Sequence, residues 1–263
     1  MRLRLNCFIV LVVSLWASDV YAQNAVRLSS PRNRIVYQRN QANQATIFIS
    51  GTYTEFIDRV EVQLRPHNGG AISSWITIQA NPSGGYFSGS VDWSAGWYEL
   101  EVRGWYQQRL VGSDIVSKVG IGEVFLIAGQ SNAQGFFNYG APAASDDRVN
   151  CVRFFNDGGP NNGGSTSELP DPEFSQLSAD AFVAPRGISA WAWGRLGDLL
   201  AQKLGVPILF YNVAWSGTAV RNWRESLNGT AFSIYNGEPY LPIGMPSANI
   251  RLVFGHYVSQ TGL

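Results

Sequence analysis

Gly122-Glu123-Val124-Phe125-Leu126-Ile127-Ala128-Gly129-Gln130-Ser131-Asn132-Ala133-Gln134-Gly135 decides how this chain is read. Val124 to Ala128 is a short unbroken apolar run, as expected of a strand buried on both faces of a parallel sheet. It stops at Gly129, where the backbone can turn sharply, and Ser131 follows at the carboxyl end of the strand. Ligands of open α/β sheets bind at that end. A serine there is either a polar turn residue or a nucleophile. In the second case its own N–H and its neighbours' can face the oxyanion that its attack creates.

Downstream, Val152 to Phe155 reads as a second strand and residues 156–187 as a long Gly-, Asn-, Ser- and Pro-rich loop, of the kind that often forms a functional rim. Ser189 is placed to cap a helix from about Ala190 to Leu204. Its apolar face is expected to hold Trp193, Leu196, Leu199, Leu200 and Leu204, with Gly205 and Pro207 as stops. Ile208 to Val213 reads as a third buried strand, and a last helix is expected from Ser247 or Asn249 to about Gln260. Strand and helix in alternation predict a doubly wound parallel sheet. Three strands are few for such a sheet, and the sequence ends at Leu263 where the next strand is expected, so it reads as the front of a longer protein. The third strand leads into Trp215-Ser216-Gly217-Thr218, another exit of the same sheet. Gly217 is either a turn glycine or a backbone N–H donor to a substrate oxygen. Trp223 either walls that pocket or packs.

Upstream, residues 26–119 read as all-β. Val60, Val62 and Leu64 alternate with Glu61 and Gln63, and Tyr98, Leu100 and Val102 alternate with Glu99, Glu101 and Arg103. Turn signals such as Pro82-Ser83-Gly84-Gly85 separate such runs, which predicts an antiparallel sandwich over 23–119. Trp75, Trp93, Trp97 and Trp105 are read as its core or interface, with sugar binding as the alternative. No proline- or serine-rich linker precedes Gly122, so the second module, 120–263, is expected to dock on the first. Residues 1–22 resemble a secretory signal: Arg2 and Arg4, an apolar stretch from Cys7 to Trp16, then Val20-Tyr21-Ala22. That predicts a secreted or periplasmic protein, with no membrane attachment after cleavage.

The 263 residues carry 19 Lys+Arg and 19 Asp+Glu, and loss of Arg2, Arg4 and Asp19 with the signal leaves the chain near neutral. There is no basic stripe for nucleic acid. Cys151 stands alone once Cys7 has left, so it reads as a buried, inert thiol. No metal-ligand spacing and no phosphate-binding glycine loop occurs. Of the two histidines, His67 lies in a turn of the β module and His256 on the expected last helix. Both read as surface or packing residues rather than as a base for Ser131.

Gly129-Gln130-Ser131-Asn132 at the end of an apolar strand resembles the first signature block of the SGNH hydrolases. More narrowly it resembles the branch of sialate O-acetylesterases and related acetyl xylan esterases. The resemblance spans roughly Gly120 to Leu263. It implies a flavodoxin-like three-layer αβα fold with a parallel sheet, truncated here and preceded by the β sandwich. It makes Ser131 the nucleophile and assigns oxyanion or substrate-binding roles to Gly217, Asn132, Gln130 and Thr218. Ser216 stands where those families often have a first glycine. Ile35 to Asn40 resembles a recurring feature of the N-terminal module of bacterial members. The implied activity is hydrolysis of O-acetyl esters on a carbohydrate, without metal or organic cofactor. The family's base and acid come late, in an Asp-x-x-His block that this sequence lacks. The other expectation is therefore a non-catalytic carbohydrate-binding or interaction protein with an incomplete hydrolase domain.

Overall fold

The computed structural model describes residues 25–67, 72–137, 139–154 and 171–227. The signal-like segment, the expected last helix and His256 lie outside them. The described elements run β1 (Val26–Ser30), β2 (Val36–Gln38), β3 (Gln44–Tyr53), β4 (Arg59–Pro66), β5 (Ile76–Ala80), β6 (Tyr86–Ser94), β7 (Gly96–Tyr106) and β8 (Arg109–Ile127). They continue as α1 (Ser131–Gln134), β9 (Val149–Val152), β10 (Phe174–Gln176), α2 (Trp193–Leu204), β11 (Ile208–Asn212) and α3 (Val220–Leu227).

Alternating side chains build the first half. Val60, Val62 and Leu64 on β4 meet Leu100 and Val102 on β7, and all are fully buried. They pack in one core with Val26, Ile47, Ile49, Phe87 and Val91 from the antiparallel sheet β1-β3-β6. Trp97 belongs to this core at 4% exposure. Trp75 lies under the Arg103 guanidinium, 4.0 Å from its carbon to the ring centroid, and Trp105 under that of Arg59 at 5.6 Å. Those three indoles are thus engaged by the protein itself.

The second half does not have the expected three-layer αβα architecture with a parallel sheet. Among the described residues the structure is mostly β, 47% strand against 12% helix, and its larger sheet is mixed. The reason lies in β8. Its first part pairs antiparallel with β7, from Tyr106↔Arg109 to Gly96↔Ile121, and its last five residues pair parallel with β11, from Ile208↔Glu123 to Asn212↔Ile127. One strand therefore carries the antiparallel sheet of the first half into the parallel pairs of the second. The sheet order is β10-β9-β11-β8-β7-β4-β5. The boundary expected between 119 and 120 falls inside this strand.

The apolar run of β11 serves two cores. Leu209 and Tyr211 pack in the core shared with the first half, while Ile208 and Phe210 face the core beneath α2. This is why the run reads as continuous rather than alternating. The second strand is Val149–Val152, earlier than expected, and β10 pairs antiparallel with it from within the stretch read as loop. Phe155 lies outside the described residues.

The helix before β11 also differs from the expected one. It begins at Trp193 with Ala192 at the N-cap, and Ser189 does not cap it. Its buried residues are Gly194, Gly197 and Ala201, whereas Leu196 and Leu199 are 39% and 46% exposed. A Cβ on Gly197 would collide with Val149, so close approach to the sheet selects the small face over the leucine face.

Asp147, just before β9, ties the halves together. It accepts from Lys118 Nζ at 2.7 Å, Arg34 Nη1 at 3.1 Å and Trp97 Nε1 at 3.4 Å. Desolvation pushes its carboxyl pKa up, but the hydrogen bonds from Lys118 and Arg34 outweigh that and hold it below the ordinary value. Gln38 and Arg39, at the end of β2, hold Glu123 at 2.8 Å each, and Gln38 Oε1 accepts the Val124 N–H at 2.7 Å. The Ile35–Asn40 stretch thereby secures the start of the run that ends at Ser131.

Candidate functional site

β8 and β11 end side by side, and their parallel ladder runs past the strand ends. The Val213 N–H donates to the Ile127 carbonyl and the Trp215 N–H to the Gly129 carbonyl, each at 2.9 Å. This sets Ser216 and Gly217 beside Gln130 and Ser131. Gly129 makes the turn possible. Its φ is 153°, and a Cβ there would come within 2.8 Å of the Ala133 side chain.

Ser131 opens the short helix α1 and is half-buried. Its hydroxyl donates to Gln130 Oε1 at a long 3.4 Å. An amide oxygen is no base at neutral pH, so this contact orients the hydroxyl without activating it. Gln130 and Asn132 are exposed, flanking the serine. Gly217 has φ 78°, the left-handed region that glycine tolerates. The N–H groups of Ser131 and Gly217 have no acceptor among the described residues. Two backbone donors at neighbouring strand exits, next to a serine hydroxyl, are a set that can receive an oxyanion.

Thr218 has a different place. Its side chain is turned into the loop, donating to the Trp215 carbonyl at 2.6 Å and accepting from Trp223 Nε1 at 3.0 Å. Both capacities of the hydroxyl are used to hold the Gly217 turn, and Trp223 packs rather than lining an opening. Asn222, also buried, accepts the Ala219 N–H at 2.7 Å and fixes the start of α3.

Two supporting residues escaped the sequence reading. Gln134 is 3% exposed; its Nε2 donates to the Arg186 carbonyl at 3.0 Å and its Oε1 accepts the Ser216 N–H at 2.9 Å. Asn212, fully buried, donates to the Ala133 carbonyl at 2.8 Å and accepts the Ala214 N–H at 2.9 Å. Between them they bolt α1 to the β11 exit. The available signal was a polar residue closing an apolar run, as Asn212 does after Ile208 to Tyr211.

The histidine that is described, His67, accepts no role here. Its Nε2 lies 2.6 Å from the Ser117 carbonyl, and its ring neighbours Trp97 in the β module. Among the described residues no group of three or more His, Cys, Asp or Glu side chains forms a metal centre. Cys151 is fully buried, and burial pushes its thiol up to about 11, so it is held as the inert neutral form. Among the described residues the site therefore presents a serine hydroxyl and two open backbone N–H groups, with no histidine beside them.

Comparison with known proteins returned no matching family model and no matching curated protein. Among solved structures, the chain is similar to a carbohydrate acetylesterase from Xanthomonas citri, at 20% identity and a TM-score of 0.45. The match covers 86% of this chain and 48% of that one, so the chain spans about half of that protein's length. A second similarity is to the sulfur carrier protein SoxY from Chlorobium limicola, at 10% identity and a TM-score of 0.23, over 38% of this chain and 82% of that one. Likenesses of this size assign neither fold nor activity to this chain.

Proposed function

We propose that the protein is an exported carbohydrate O-acetylesterase of the sialate O-acetylesterase and acetyl xylan esterase kind, with Ser131 as nucleophile. The observation that carries the reading is the pairing of the Ser131 turn with the Gly217 turn at adjacent, parallel strand exits. Ser131 Oγ attacks the acetyl carbonyl, and its proton passes to a base supplied from outside the described residues. The N–H groups of Ser131 and Gly217 take the negative charge of the tetrahedral oxygen. The sugar oxygen leaves with a proton, and water then releases acetate from the acetylated serine. Gln130 and Asn132, as exposed amides beside the serine, are placed to hydrogen-bond the sugar hydroxyls. Thr218 contributes by holding the turn of Gly217.

Acetate release from acetylated xylan and from O-acetylated sialic acid, by protein expressed through its complete reading frame, tests this. The parent should release acetate from one of them, and Ser131→Ala should lose activity by about a thousandfold or more, as removal of a covalent nucleophile does. Equal release by the two proteins would remove Ser131 from the chemistry. Sugar binding with no release by either would instead favour the binding-protein reading.

A further inference from the structure

Beside Ser131 stands a group of aromatic rings that the proposed chemistry does not use. Phe136 and Tyr139 follow the serine on the same segment, and Trp191 comes from the loop before α2. The Phe136 and Trp191 ring centroids are 5.6 Å apart at 69°, those of Tyr139 and Trp191 5.8 Å at 84°, and those of Phe136 and Tyr139 5.7 Å. The first two contacts are edge-to-face and the third is tilted. Phe136 is 38% and Tyr139 72% exposed.

The cluster is fixed to the catalytic turn. Trp191 Nε1 donates to the carbonyl of Asn132, the residue after the serine, at 2.8 Å. The Ser189 hydroxyl donates to the Phe136 carbonyl at 2.8 Å and accepts the Trp191 N–H at 3.3 Å. Holding the indole there has a backbone cost: Ser189 and Trp191 have φ of 65° and 41°, a region that residues with side chains rarely adopt. Such outliers persist where the surroundings over-determine them, commonly at binding sites. Here the strained loop holds a large aromatic side chain beside the candidate nucleophile.

We infer that Trp191, Tyr139 and Phe136 form a stacking platform for the pyranose ring that carries the acetyl group, an inference that rests on the esterase reading of Ser131. An acetyl ester puts its carbonyl carbon two bonds from a sugar carbon, so with the carbonyl at Ser131 the ring is an immediate neighbour. A pyranose offers a C–H face to an aromatic ring and a rim of hydroxyls to polar groups. The exposed amides of Gln130 and Asn132 lie next to the platform on the serine turn. An apolar anchor with a few polar groups is how small-ligand sites combine affinity with orientation.

The test is binding to the Ser131→Ala protein, expressed through its complete reading frame, by calorimetry and tryptophan fluorescence. One arm uses acetylated xylo-oligosaccharide and the other O-acetylated sialic acid, to separate a neutral from an anionic pyranose. Saturable binding in one arm is expected. Trp191→Ala and Tyr139→Ala should each weaken it by roughly tenfold or more, as truncation of an aromatic anchor does, and Tyr139→Phe should restore it. The unfolding midpoint of Tyr139→Ala should stay with the parent. The inference is overturned if neither sugar binds, if both alanine variants bind as the parent does, or if Tyr139→Ala lowers the midpoint while leaving affinity unchanged, which would make the rings a seat for another part of the chain. Hydrolysis of p-nitrophenyl acetate by protein with Ser131 intact reports the esterase reading separately. Ring-dependent sugar binding without hydrolysis would retain the platform and remove the esterase.

Discussion

The exits of β8 and β11 lie side by side, yet they are held in different ways. The β11 exit is fixed largely from within: Thr218 bonds back to Trp215, Asn222 to Ala219, and Asn212 to Ala214. The β8 exit has one long side-chain contact of its own, between Ser131 and Gln130. Its support comes from elsewhere: across the gap from Trp215 to Gly129, Asn212 to Ala133 and Ser216 to Gln134, and from the segment before and at the start of α2, where Trp191 and Trp193 donate to the carbonyls of Asn132 and Ala133. The pair shows a division of labour. One turn spends its polar groups on being rigid, and the other keeps a hydroxyl, two amides and an N–H available for a ligand.

Breaking the less supported exit should do the most damage. Gly129→Val puts a β-branched residue at φ 153° and a side chain against Ala133; a loss of about 2–4 kcal/mol in denaturant unfolding is expected, with acetate release abolished. Thr218→Val keeps the shape but strands the half-buried Trp223 indole N–H and the Trp215 carbonyl, so about 1–2 kcal/mol should be lost, with only a modest fall in turnover. Were Thr218 instead a substrate ligand, stability would hold and KM would rise.

The next effect sharpens the comparison by acting outside both exits. On α2, Asp198 accepts the Ser145 N–H and hydroxyl and the Asp146 N–H at 2.7–3.0 Å. Desolvation raises its pKa, but these hydrogen bonds outweigh that and leave it below the ordinary value. A depressed folded-state value means that the stability is present above the unfolded pKa of about 3.9 and is lost as pH falls through the folded one. Asp198→Asn should therefore cost about 1 kcal/mol at neutral pH, and the gap from the parent should close in acid unfolding below about pH 4. The smallest effect is at Cys151: with its thiol near 11 and fully buried, it should resist iodoacetamide at pH 8 until the chain is unfolded.

The parts of this arrangement differ in how plainly they are written in the sequence. Period-two alternation from Val60 to Leu64, and the apolar runs before Gly129 and Asn212, mark strands because burial on one face or two leaves a direct imprint on residue type. Strand pairing leaves none. The same run that reads as a parallel strand is the end of a 19-residue strand whose other part is antiparallel to β7, and this turned an expected αβα fold into a mixed sheet. On the expected apolar face of α2, Trp193 and Leu200 do pack against the second core, but Leu196, Leu199 and Leu204 are exposed, because a helix that must lie close to a sheet buries glycine and alanine there instead. β10 has three residues in a glycine- and proline-rich stretch, too short to show a period. The serine turn was legible from its motif, whereas Gln134 and Asn212 act through distant backbone partners that spacing cannot reveal.

The central claim is that Ser131 is a nucleophile, and the most direct measurement is to catch it acylated. Protein expressed through its complete reading frame would be mixed rapidly with p-nitrophenyl acetate, quenched in acid, digested and examined by mass spectrometry. The account predicts one acetyl group on the peptide containing Ser131, located on that residue and absent from Ser131→Ala. Turnover with an unmodified Ser131, or with the acetyl group on another side chain, would contradict it.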